Sequence, residues 1–182
     1  KLPGTLFELN PVKGAFDLGS LIQHLDQNDA YLGAEYGYPS NNLGAILAVA
    51  GQRSCSHAPI TLKEVLIAEI KAHEIQGIFQ INNAFNRRGL NRTMLVKIAS
   101  SAVVVHLTQL DKEQAFSALS YAWQDGNPLQ AFHKAPNSGP RNGWAAGDAC
   151  LRAVYLSLLA KASQTSAPNA LTTPRLETFF TY

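Results

Sequence analysis

Cysteine is scarce in this chain, with only Cys55 and Cys150 among 182 residues. Two thiols cannot form the disulfide framework of a small stapled domain, nor supply the three or four thiolates of an iron–sulfur cluster. That scarcity suits a reducing compartment. Charge is also sparse: 15% of residues are charged and the net charge is +2. The basic residues are scattered apart from Arg87-Arg88 and the nearby Arg92, so no nucleic-acid partner is expected. No apolar run approaches the roughly 20 residues of a membrane-spanning helix, and no membrane partner is expected. Strand-type alternation is missing over any useful length, as is an internal repeat. The five histidines (His24, His57, His73, His106 and His133) never fall into an H-x-x-x-H arrangement, and no C-x-x-C occurs, so no metal site is expected. The chain begins Lys1-Leu2-Pro3-Gly4, without Met or a signal-peptide pattern, as an internal fragment or processed product would. Asn91-Arg92-Thr93 is a glycosylation sequon, meaningful only on a secreted chain.

What is present is helical periodicity, and the fold class it predicts is all-α. At 182 residues one domain with a sizeable core is expected. Leu18, Leu21, Ile22 and Leu25 follow i, i+3, i+4, i+7 spacing, and Leu43, Ile46, Leu47 and Ala50 repeat it after Ser40, a candidate N-cap. Gln52 to Pro59 reads as a polar connector. Thr61-Leu62-Lys63-Glu64 is a capping box flanked by a hydrophobic staple, Ile60 with Val65, and predicts a helix to about Phe79. Met94 to Leu107 predicts a buried helix, although Val103-Val104-Val105 alone would suit a buried strand. Asp111 with Gln114 predicts the next start, with Phe116, Leu119 and Trp123 on one apolar face. A last helix is predicted from about Ala145 to Ala162, with Asp148 and Arg152 as an i, i+4 pair. Residues 163–182 are rich in Ser, Thr, Pro and Ala and read as weakly ordered.

Two loops carry the candidate chemistry. Asp26 to Asn42 holds three acids and three tyrosines. Asp26 and Asp29 read either as turn and capping residues or as carboxylates that a partly apolar pocket could tune into a general base. Lys134 to Trp144 brings Lys134 and Arg141 before a helix N-terminus. This is either a solvated connection or a site suited to a carboxylate ligand. His73 and His106, within apolar stretches, read as structural.

Ordered motifs along the chain are similar to the MmgE/PrpD family. They are Pro11-Val12-Lys13-Gly14-Ala15-Phe16-Asp17, Ala34-Glu35-Tyr36-Gly37, Pro39-Ser40, Asn42-Leu43-Gly44, Lys71-Ala72-His73-Glu74-Ile75-Gln76-Gly77, Phe85-Asn86-Arg87, Leu95-Val96-Lys97, Ala135-Pro136-Asn137 and Trp144-Ala145-Ala146-Gly147-Asp148-Ala149. The resemblance covers about residues 4–174. It implies that residues 1–174 form part of a helical domain, the middle of it, and that 175–182 are a divergent tail. Family members are more than twice as long and add a smaller α/β domain. The implied chemistry is loss of water from 2-methylcitrate in propionate catabolism, with no cofactor, in the cytoplasm or the mitochondrial matrix.

Carried over residue by residue, the family's D-[FY]-N-D-T-W aspartate is Asp26, the implied catalytic residue, while its threonine and tryptophan are Ala30 and Tyr31. The histidine of G-H-P-S is Tyr38, and that of G-L-D-H is Arg92. In R-K-S-W the arginine is kept as Arg141, the implied substrate-binding residue, and the lysine is Asn142. The histidine of H-A-P-N is Lys134. Arginine cannot act as a base and an ordinary tyrosine is a poor proton donor near neutrality, so a truncated homologue with impaired or lost catalysis is expected. The alternative is a non-enzymatic helical protein that binds a tricarboxylate or acts through protein contacts. Uncovered apolar faces around Val103–Val105 or Leu151–Leu159 are expected to make it a homo-oligomer.

Overall fold

Asn10 and Pro11 start the first helix. The Asn10 side chain accepts from the Lys13 amide at 2.9 Å, and proline sits where no amide is needed. The computed structural model describes residues 2–56, 58–167 and 170. Among them are six α-helices, α1 (Pro11–His24), α2 (Leu43–Cys55), α3 (Leu62–Asn82), α4 (Thr93–Leu107), α5 (Lys112–Gln124) and α6 (Arg141–Lys161), and no β-strand. The all-α expectation therefore holds. Both capping boxes form, at Thr61/Glu64 and Asp111/Gln114. At the α3 entry Val65 is buried in the core and Ile60 packs against the same cluster, as a staple would have it. Ser40 is not a cap. Pro39–Asn42 is a 3₁₀ turn that runs straight into α2, and the Ser40 amide instead donates to Asp29 at 3.1 Å. His57 and residues 171–182, including the tail from Arg175, lie outside the described residues.

The core sits around α4, in which every residue except Ala102 and His106 is buried. A helix apolar on all sides belongs inside, and the Val103–Val105 run is helix rather than strand. It is covered by its neighbours, not open to solvent. Val154 and Leu156 of α6 are buried as well. The expected uncovered face is thus not at Val103–Val105, while along Leu151–Leu159 Tyr155 is exposed and Leu151, Leu158 and Leu159 are half-buried.

α1 meets α2 and α6 through small residues. A Cβ on Gly19 would lie 2.9 Å from the Gly147 Cα, one on Gly44 2.7 Å from the Gly19 Cα, and one on Gly147 2.4 Å from the Phe16 carbonyl oxygen. The buried face of α1 is accordingly Ala15, Gly19 and Gln23, while Leu21 and Leu25 of the apolar stripe point to solvent. Phe116 of α5 is likewise exposed, and Ala118 and Ala122 are buried instead.

A chain of buried amides clamps the loop between α1 and α2 onto this frame. Ser100 Oγ donates to Asn42 Oδ1 at 2.7 Å, Asn42 Nδ2 to Gln76 Oε1 at 2.8 Å, Gln76 Nε2 to Gln80 Oε1 at 2.7 Å, and Gln80 Nε2 to the Tyr31 carbonyl at 3.1 Å. The Ala34 and Glu35 amides donate to the Ile81 and Gln80 carbonyls, which caps the end of α3. Tyr31 lies on Gly77, where a Cβ would come within 2.7 Å of its ring.

A second loop is fastened from α4. Buried Lys97 donates to the Asp125 carbonyl and to Asn127 Oδ1. Burial, helped by the nearby Arg152, pulls its ammonium down to about 8. Beyond that anchor, the Asn91 amide donates to the Pro128 carbonyl at 2.8 Å and the Gln130 amide to the Gly89 carbonyl at 2.7 Å. The sequon residue Asn91 is buried, accepting from the Thr93 amide and hydroxyl, so its side chain is not presented for modification.

Candidate functional site

The two clamped loops meet at Arg92, the residue before α4. Its guanidinium carbon lies 4.6 Å from the ring centroids of both Tyr36 and Tyr38, and Nη1 donates to the Tyr36 hydroxyl at 3.0 Å. The two rings meet edge to face at 6.0 Å. Arg92 is 8% exposed, so this cation is held by aromatic faces and largely shielded from water. Beneath it, buried Glu35 accepts from the Asn86 amide at 3.2 Å. Burial raises its carboxyl above the ordinary value, while the Asn86 and Phe85 amides and Arg92 oppose the rise.

Asp26, Tyr38, Arg92 and His133 act on one another electrostatically. Burial pushes the Tyr38 hydroxyl up, with Arg92 opposing and Asp26 adding. Burial and then Arg92 push the His133 imidazole down, with Asp26 opposing. Asp26 itself is exposed on the rim, in a left-handed conformation (φ 50°), and accepts from Gln23 Nε2 at 3.2 Å. Such a backbone is uncommon for a residue with a Cβ, although aspartate tolerates it better than most. The site thus joins a guanidinium, a phenol and an imidazole disfavoured from taking a proton, with one carboxylate at its edge. It can hold and orient an anion. Positions 38 and 92 offer a phenol that keeps its proton and a guanidinium that never loses one, so neither shuttles protons near neutrality.

Arg141 opens α6 and joins this region through rings. Its guanidinium carbon lies 5.0 Å from the Phe132 ring and 4.4 Å from Trp144, and the Phe132 and His133 rings are 4.4 Å apart. Arg141 is partly neutralised by Asp148, at 3.7 Å. Lys134 is exposed.

Asp29, also exposed, turns instead toward α3. Its carboxylate accepts from the Ser40 amide and lies 3.0 Å from His73 Nε2, while His73 Nδ1 is 3.3 Å from Glu69 Oε1. Burial, and then the Asp29 charge, raise the Glu69 carboxyl to about 8. His73 is therefore a bridge that ties the loop to α3, in keeping with its structural reading. The reading of the sequence missed Glu69, which looks like an ordinary polar residue of α3. It also missed the pairing of Tyr36 with Arg92, because the partners are 56 positions apart.

The MmgE/PrpD N-terminal domain matches residues 1–179. The chain belongs to the MmgE/PrpD family. It is 53% identical over 182 residues to a 2-methylcitrate dehydratase-like protein of Aspergillus oryzae, covering 96% of this chain and 37% of that protein. It is 50% identical over 179 residues to the 2-methylcitrate dehydratase of Escherichia coli, again covering 96% and 37%. An alkylcitrate dehydratase from a fungus is 50% identical over 184 residues, covering 96% and 36%. The chain therefore spans a little over a third of the length of these family members. Among the described residues, no helix is long and apolar enough to cross a membrane.

Proposed function

We propose that this chain is the polycarboxylate-binding helical part of a 2-methylcitrate dehydratase-like protein in which dehydration is impaired or lost. The observation that carries the reading is the placement of Arg92 between Tyr36 and Tyr38. Positions 92 and 38 hold imidazoles in the family pattern, and here they hold a fixed cation and a phenol. A guanidinium recognises a carboxylate through paired hydrogen bonds, so the replacement favours binding over proton transfer. Arg141, on its aromatic shelf, is the second cation for such a ligand. Asp26 faces the same field and is the group that would take a proton in any residual elimination.

The test has two arms. Citrate and 2-methylcitrate raise the melting temperature, as any ligand that favours the folded state must, and no 2-methyl-cis-aconitate accumulates from 2-methylcitrate. Absence of a melting shift removes the binding reading. Sustained product formation, lost in Asp26→Asn, replaces impairment with an active lyase. That second reading is favoured by His133, an imidazole in the same field as Asp26.

A further inference from the structure

The Asp29–His73–Glu69 bridge presents more acceptors than a neutral imidazole can satisfy. His73 Nε2 lies 3.0 Å from Asp29 Oδ2, while Nδ1 faces the Glu69 carbonyl at 3.2 Å and Glu69 Oε1 at 3.3 Å. A neutral imidazole carries one N–H and one lone pair. With both carboxyls ionised, one of its nitrogens would therefore meet an acceptor with no proton between them. One further proton, shared between Nδ1 and the Glu69 carboxyl, resolves this and leaves Nε2–H to donate to Asp29. Neither buried oxygen of that carboxyl receives a hydrogen bond from an amide or hydroxyl among the described residues, and a bare carboxylate in such a place is costly.

The bridge sits at the base of the loop whose tyrosine rings enclose Arg92. Asp29 also accepts from the Ser40 amide at 3.1 Å, two residues past Tyr38. Between these ends, Tyr31 and Gly37 exchange backbone hydrogen bonds across the loop at 2.9 and 3.1 Å. One carboxylate thus closes the base, and His73 holds that carboxylate on α3. We propose that Glu69 and His73 are positioning residues for the Arg92 site: the proton they share latches the 29–40 loop onto α3 and so keeps Tyr36 and Tyr38 against the guanidinium. Its consequence for a ligand rests on the anion-binding reading above. When the proton leaves, the imidazole turns its remaining N–H toward the Glu69 carboxylate, Nε2 presents a lone pair to Asp29, and the base of the loop is released. Burial, and then the Asp29 charge, put that loss at about 8. The latch is complete below this pH and fails as pH rises through it. From α6 the Cys150 thiol feels the Glu69 charge, but burial pushes it up to about 12, so it stays protonated. The Pro39–Asn42 turn has no titratable side chain and α2 has none before Arg53. Lys97 also titrates at about 8, holding the 125–127 turn, so the test compares proteins that all keep it.

Two measurements on the intact chain test this. Amide exchange at pH 7 and pH 9, resolved by NMR and corrected for the intrinsic rate at each pH, follows the Ser40 amide. Its protection in the wild-type chain is expected to fall about tenfold between the two. Glu69→Gln, whose carboxamide can donate to Nδ1 at either pH, keeps it, and His73→Leu starts low at both, with circular dichroism spectra unchanged. Calorimetric titration with citrate, fully ionised over this range, is expected to give a dissociation constant that rises about threefold or more in wild type and stays level in Glu69→Gln, because affinity falls with the fraction of loop that is closed. Wild-type protection that is equal at both pH values, or that falls equally in Glu69→Gln, overturns the proposal, as does a pH dependence of citrate affinity that survives unchanged in that variant. Absence of citrate binding at either pH removes the anion-binding reading instead, and the Ser40 amide still decides the latch.

Discussion

A guanidinium enclosed by two phenol rings has little freedom to move, and this decides what Arg92 contributes. Its orientation is set before any ligand arrives, so less entropy is lost on binding than for a free surface arginine. Arg92→Ala should abolish the melting shift produced by citrate, and Arg92→Lys should retain only part of it, because an ammonium cannot grip a carboxylate in bidentate fashion. Equal shifts in all three proteins would show that the ligand sits elsewhere. A second residue-scale consequence concerns Glu69. Its carboxyl titrates at about 8 in the folded chain against an ordinary 4.5. Between those values the folded state keeps a proton that the unfolded state has lost, so the contribution of Glu69 to stability is fully present below pH 4.5 and fades as pH rises through about 8. Relative to Glu69→Gln, the wild-type chain should lose stability steadily from pH 5 to pH 8 in thermal melts. Parallel curves would mean that burial and the Asp29 charge do not hold that proton on Glu69.

At the scale of elements, helices meet here by two different means, and only one was legible in advance. α3 and α5 announce themselves through capping boxes, local patterns in which each partner is three residues away. Thr61→Ala should accordingly cost about 1 kcal/mol in denaturant melts. α1, by contrast, buries Ala15, Gly19 and Gln23 and exposes Leu21 and Leu25. A rule that turns large apolar side chains inward chooses the wrong face, because the partners approach so closely at Gly19, Gly44 and Gly147 that no side chain fits. The site divides in the same way. Asp26 and Arg141 could be named from motif and loop position, whereas the Tyr36–Arg92–Tyr38 stack and the Asp29–His73–Glu69 bridge join residues far apart in the chain and exist only once the loops are clamped. The close contact of α1 with α6 makes its own prediction. Gly147→Ala puts a methyl 2.4 Å from the Phe16 carbonyl oxygen, backbone that cannot turn aside as a side chain would, and should destabilise by about 2 kcal/mol or more. A neutral melt would mean that α1 and α6 can separate freely.

Across the whole molecule, protection should follow burial outward from α4. That helix is enclosed by α2, α3, α5 and α6, and its polar members are satisfied internally: Ser100 by Asn42, Ser101 by the Lys97 carbonyl, and Lys97 by the 125–127 turn. Exposing its amides requires α6 or α3 to leave, which amounts to losing the core, so exchange in α4 reports global unfolding. The segment from Asp26 to Gly37 is held by hydrogen bonds with Gln80, Ile81, His73 and Arg92, and its opening leaves the Asn42 bond to Ser100 of α4 in place. Amide hydrogen exchange under native conditions should therefore be slowest from Val96 to Val105 and markedly faster from Asp26 to Gly37. Citrate should slow the second segment more than the first, because the proposed anion site at Arg92, Tyr36 and Tyr38 lies where that loop closes on the helix. If both segments exchange at one rate, the loop and the core unfold as a unit and the clamp is no weaker than the bundle. If citrate protects α4 alone, the anion binds somewhere other than the Arg92 stack.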